Sequence, residues 1–159
     1  MTKKSSDGPK ILASNRSASH HFFLDETFEA GIVLHGTEVK ALRAGKGQIA
    51  DAYARVENNE VFLHNAHIDE YAHGNLQNHE PMRPRKLLLH RGEVRSILGK
   101  TTREGYTLIP TRIYLKGSHI KIAIALARGK KLHDKRESER RKESDREARA
   151  AMSARRARG

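Results

Sequence analysis

The sequence predicts a mainly β protein with inserted helices: a small, closed antiparallel barrel followed by a basic tail that stays disordered until it is bound. Three observations carry this. Short apolar-alternating runs separated by turn residues recur through the middle of the chain, as paired strands require. Nearly all branched aliphatic and aromatic side chains lie in residues 17–127, and beyond Arg128 the only large apolar ones are Leu132 and Met152, so the end of the chain cannot build a core. The 159 residues carry 31 Lys and Arg against 19 Asp and Glu, a net +12, of which +3 falls in residues 1–16, +2 in 17–127 and +7 in 128–159. The expected organisation is a basic N-terminal arm (1–16), a folded body (17–127) and a basic tail (128–159), whose natural partner is a polyanion.

Taken in order, His20 to Leu24 and Ala30 to Leu34 read as a strand pair joined by the acidic turn Asp25-Glu26-Thr27. Glu38 to Ala44 reads as a helix with Val39 and Leu42 on one face and a stop at Gly45. Tyr53 to Glu57 and Val61 to Ile68 flank Asn58-Asn59, two residues that tolerate positive φ, and predict a hairpin with a primed turn. Tyr71 to Pro84 is loop, and Leu87, Leu88 and Leu89 are expected in the core. Glu93 to Leu98 predicts a second helix ending at Gly99. Thr107 to Leu115 and Ile120 to Leu126, joined by Lys116-Gly117-Ser118, predict a last hairpin, with Pro110 at an edge or bulge. Six strands in three hairpins favour closure, which removes exposed edges, and hence an oligonucleotide-binding-like barrel.

Several functions are excluded or weakened on spacing. The longest purely apolar run is the six residues Ile122 to Ala127, far below the ~20 of a membrane span. No secretory pattern follows Met1, so the chain is expected to stay in the cytoplasm. Zero cysteines leave no thiolate metal site or cysteine nucleophile. Gly99-Lys100-Thr101 ends like a phosphate loop, but that motif's first glycine would fall at Val94, so a helix C-cap is the better reading. His64 and His67 are three apart on a predicted strand and point to opposite faces, which makes a poor metal pair. A metal-free ribonuclease could use His20, His21, His119 and Lys121, although nothing in the sequence brings them together. Neither catalysis, metal nor cofactor is expected.

The tail opens with the dense block Gly129 to Arg136, in which Gly129 lets the chain leave the last strand. Acid-first pairs Glu137–Arg141 and Asp145–Arg149 at i,i+4, with four alanines in the same stretch, predispose it to helix.

Four separated blocks spanning Asn15 to Arg136 then resemble the bacterial SsrA-binding (SmpB) family. They are Asn15 to Phe22, then Phe28 to Gly31 running into Gly36 to Lys46, then Arg85 to Leu89, and Gly129 to Arg136. The resemblance implies a non-catalytic adaptor, monomeric when free, that binds the tRNA-like domain of transfer-messenger RNA. It further implies delivery to a stalled ribosome, with the tail entering the small subunit's vacant decoding site and mRNA channel. By motif position it implies RNA contacts at Asn15, Arg16, His20, Glu29, Glu38, Lys40, Leu87 and Lys121. The ribosome-engaging residues it implies are Gly129, Lys130, Lys131, His133, Asp134, Lys135 and Arg136. Cations can neutralise phosphates and histidine can stack on an unpaired base. Glu29 and Glu38 would instead orient a cation or accept from a base or ribose, and for Glu38 first-turn helix chemistry is an equal alternative. The competing classes are a general RNA-binding or ribosome-assembly barrel and a small ribonuclease.

Overall fold

The computed structural model describes residues 8–73, 77–130 and 132–158. Among them lie nine strands and four helices, a mainly β body with helices at its margins. Turn chemistry sets the hairpins. Strands β4 (Tyr53–Glu57) and β5 (Glu60–His64) meet through Asn58 and Asn59, whose φ values of 50° and 63° give the primed turn that matches strand twist. Strands β8 (Thr107–Lys116) and β9 (His119–Gly129) join through Gly117 and Ser118, with φ 62° at the glycine. Their register shifts between Pro110 and Arg112, a bulge next to the residue that lacks an N–H for the ladder.

Elsewhere the structure departs from sequence expectation. His20 and His21 are not strand residues but end the short helix α1 (Ala18–His21), and the chain then continues as one strand, β2 (Phe22–Ile32), instead of a hairpin. The acidic residues that suggest a turn sit in a bulge between Leu24 and Thr27, where β2 keeps its pairing with β9. Residues 10–14, assigned to the arm by their charge, form β1 (Lys10–Ser14) on β8 and bury Leu12. Asn65, with φ 58°, ends β5, and β6 (His67–Ile68) pairs with β3 (Gly47–Gln48) in a separate ribbon. Helix α2 (Gly36–Arg43) stops before Gly45 at φ 77°, as expected. Helix α3 (Arg91–Arg103) runs through Gly99 to end at Glu104, so Lys100 and Thr101 are interior helix residues and not a cap.

Strand β7 (Arg85–Leu88) bridges β5 and β2, and the main sheet runs β1-β8-β4-β5-β7-β2-β9 with β8 also paired to β9. Ile122, Ile124 and Leu126 from β9 fill the interior with Leu63, Ile113, Leu42 and Ile97, all fully buried. The opposite side of β9 carries Ala123, Ala125 and Ala127. Their small side chains let α1 approach, and Ala18 packs on Ile109 and Ala127 as a second, small cluster.

Helix α4 (Leu132–Arg158) follows β9, and the side chains of residues 140–154 are exposed. No helix among the described residues is long and apolar enough to cross a membrane.

Candidate nucleic-acid interface

One cluster forms where β2, β9 and β8 lie side by side. Register places Glu29, Ala123 and Arg112 in one cross-strand row and Gly31, Lys121 and Tyr114 in the next. Tyr114 donates its hydroxyl to Glu29 Oε2, Lys116 Nζ donates to Oε1 at 3.0 Å, and the Arg112 guanidinium lies 5.0 Å from the Tyr114 ring centre. The Tyr114 hydroxyl and Lys116, with Lys121 nearby, hold the Glu29 carboxyl below its ordinary range. Burial and the Glu29 carboxylate push Tyr114 up to about 12. Glu29 is thus a fixed, ionised acceptor among cations. It can take hydrogen bonds from base amino or ribose hydroxyl groups but repels phosphates.

Gly31 extends this surface. A Cβ there would stand 3.2 Å from Leu88 Cβ, so the absent side chain lets Leu88 of β7 lie against the β2 backbone. Leu88 is 53% exposed whereas Leu87 is 3% exposed in the core. Motif position selects Leu87 for RNA, but it is Leu88 that faces outward, one position away. Three consecutive leucines show no alternation from which to read this. Lys40 is exposed on α2, and its Nζ sits 5.4 Å from the Tyr71 ring centre.

Two other predicted contacts have structural duties. Glu38 is fully buried; Oε2 accepts from Arg85 Nε at 2.5 Å, and Oε1 accepts from Arg83 Nη2 at 2.6 Å and from the His35 N–H at 2.8 Å. Arg85, equally buried, donates its other nitrogens to the Ala66 and Pro81 carbonyls. Burial alone would raise the Glu38 carboxyl, but the hydrogen bonds from His35, Arg83 and Arg85 outweigh it and hold it below the ordinary range. First-turn helix chemistry therefore accounts for Glu38, joined to a buried ion pair that sequence reasoning missed. Asn15 is also buried: Nδ2 donates to the Pro110 carbonyl at 3.1 Å, and its Oδ1 accepts from Ser17 Oγ. It pins the entry to α1 onto the β8 bulge.

A second basic surface forms at the far end of β9. Arg16 and His21 are exposed, with the His20 ring edge-on to His21 at 5.0 Å. Gly129 pairs with Phe22, and the Lys130 N–H donates to the His21 carbonyl at 3.0 Å. Lys131 lies outside the described residues, as do the side chains of His133, Asp134, Lys135 and Arg136 at the start of α4. The ten steps along β9 between His119 and Gly129, at ~3.3 Å each, keep His119 and Lys121 far from His20 and His21, too far to act on one phosphodiester. His64 is instead engaged with Glu57 at 2.9 Å, and His67 with Asp69 at 3.0 Å. No group of three or more potential metal ligands gathers among the described residues.

A mainly β body with a cationic, hydrogen-bonding outer face at one end and a long basic helix at the other defines an RNA-binding module. Comparison with known proteins is specific on the kind. The family model for "SmpB protein" matches residues 12–154. An SsrA-binding protein of Shouchella clausii is 52% identical over 143 residues, 90% of this chain and 92% of its own length. That of Thermoanaerobacter pseudethanolicus is 58% identical over 128 residues, 80% and 82% of the two chains. A solved structure described as "tmRNA-SmpB: a journey to the center of the bacterial ribosome" superposes with a TM-score of 0.63 at 48% identity, covering 75% of this chain and 84% of that one. The chain belongs to the SmpB family.

Proposed function

We propose that this protein is an adaptor that binds the tRNA-like domain of transfer-messenger RNA and carries it to stalled ribosomes for trans-translation. One observation favours a bridging role: its two cationic surfaces sit at opposite ends of β9. Lys121 and Lys130 are nine residues apart on an extended backbone, about 30 Å at the rise of a strand. One protein can therefore hold one RNA at the Glu29–Lys121 face and present its tail to another. The first face, with Lys40 and Leu88 at its margins, takes the tRNA-like RNA. The segment Gly129 to Arg136 faces the decoding site, and α4 follows the mRNA channel.

The pairings that return on β8 support reading the sheet as a small closed barrel of the oligonucleotide-binding type. The adaptor works without catalysis, metal or cofactor, as a cytoplasmic monomer when free. Its tail has a net +7 and few apolar groups, so ordering it costs ~1–2 kcal/mol per residue of backbone entropy with no core to offset it. Counterion release from ribosomal RNA supplies the missing term, and α4 is the bound form of a tail that is mobile in the free protein.

The test is capture of the protein from its own cells and sequencing of the bound RNA. Strong enrichment of transfer-messenger RNA is expected. A broad ribosomal or messenger profile without that enrichment would sink the reading in favour of a general RNA-binding barrel.

A further inference from the structure

The chain leaves the sheet past Phe23, Arg128 and Tyr106, three side chains that none of the RNA contacts above uses. Extending the register by one pair places Phe23, Arg128 and Tyr106 side by side across β2, β9 and the entry to β8. The Arg128 guanidinium lies 4.9 Å from the Tyr106 ring centre, and Lys130 Nζ lies 5.1 Å from that of Phe23. Phe23 is 52% exposed, so burial does not account for an aromatic there. Tyr106 is fixed independently. Its ring packs against the main core, and its hydroxyl donates to Asp25 Oδ2 at 2.9 Å. Asp25 and Glu26 both project from the β2 bulge, and Glu26 accepts from Lys100 Nζ of α3 at 2.7 Å. The chain just before the tail is therefore gripped from two sides, Arg128 by Tyr106 at the entry to β8 and Lys130 by β2 and α1.

From this geometry we infer that Tyr106 is a positioning residue for the tail: held by Asp25 and the core, it fixes Arg128, and so sets the direction in which the chain leaves β9. The inference rests on the adaptor reading, since a direction matters only if the tail must enter a channel while the body holds its RNA. The arrangement makes physical sense of the acidic bulge. Asp25 and Glu26 repel RNA phosphates, yet they stand close to the basic exit. Their partners Tyr106 and Lys100 show them serving as anchors for the exit and for α3. The hydrogen bond to Asp25 and burial both raise the Tyr106 phenol above its ordinary range, which keeps it a donor at neutral pH.

The experiment compares full-length Arg128→Gln with Arg128→Lys, because these alter an exposed side chain and spare the core, and adds Tyr106→Phe and Tyr106→Leu. Three quantities are read: exchange of the Lys130 amide, affinity for the tRNA-like RNA, and peptide tagging on stalled ribosomes at saturating RNA complex. Arg128→Gln and Tyr106→Leu should speed Lys130 exchange and lower tagging by about two- to fivefold, the worth of an exposed cation–π contact. Their RNA affinity should stay at wild-type level. Arg128→Lys keeps a cation over the ring and should retain most of the tagging, and Tyr106→Phe should fall between. Normal tagging by Arg128→Gln, or an equal loss in Arg128→Lys, would overturn the positioning role. A wild-type chain that supports no tagging would overturn the adaptor reading beneath it as well.

Discussion

Leu87 and Leu88 are neighbours in sequence and face opposite sides of β7, so truncating them separates folding from binding. Leu87→Ala should cost about 2–5 kcal/mol of stability, as for a buried leucine. Leu88→Ala should change stability by less than about 0.5 kcal/mol but weaken binding to the tRNA-like RNA. Denaturant unfolding and a binding isotherm on each variant check this, and the opposite pattern would move Leu88 into the core. Glu38 makes a different prediction. Its folded pKa lies below its ordinary 4.5, so the stability that its ionised form contributes is fully present above that value and is lost as pH falls through the lower folded pKa. Glu38→Gln leaves Arg85 buried without its counter-charge and should cost about 3–5 kcal/mol at neutral pH. It should also flatten the acid limb of the stability profile from 4.5 down to that lower pKa, measured by unfolding at a series of pH values. A wild-type limb that persists unchanged in the variant would assign it to other carboxylates.

At the scale of elements, what could be read from the sequence was whatever local turn chemistry dictates. Asn58-Asn59 and Lys116-Gly117-Ser118 each predict a tight hairpin, the second closing on Gly117 and Ser118 alone, and of the edge or bulge that Pro110 signals the structure has the bulge. The elements that escaped are those set by distant partners. β1 looks like part of a charged arm until β8 is present to pair with it, and β2 looks interrupted because its acidic residues find Tyr106 and Lys100 only in the folded chain. Gly99 resembles a helix stop, yet Ile97 is anchored in the core and Thr101 and Thr102 bond back to the carbonyls of Ile97 and Leu98, so the helix continues. Of the residues that motif position selects, Lys40, Glu29 and Lys121 lie at the surface, and first-turn chemistry was one of the two readings of Glu38, but its ion pair with Arg85 and the hydrogen bonds of Asn15 were not legible. Asn15 links α1 to the β8 bulge, so Asn15→Ala should leave the Pro110 carbonyl without its side-chain partner and cost about 1–3 kcal/mol. Faster exchange should concentrate at the amides of Ala18, His20 and His21. Uniform loosening of the whole sheet would contradict so local a role.

For the whole molecule, the central claim is a division of labour between a body that recognises the tRNA-like RNA and a tail that acts on the ribosome. The charge distribution supports the division, since residues 17–127 carry only +2, which favours recognition by placed groups over bulk charge, whereas 128–159 carry +7 with almost nothing apolar. On this proposal specificity belongs to the sheet, and the tail contributes charge and a helix. The most direct measurement is the affinity of a chain lacking residues 131–159 for the tRNA-like RNA across a salt series, alongside its tagging activity on stalled ribosomes. The account predicts that specific binding survives, with a salt slope set by the phosphate contacts of the body, while tagging is lost. Affinity that collapses to the non-specific range of about 10⁻⁴–10⁻⁶ M, or tagging that continues without the tail, would contradict it.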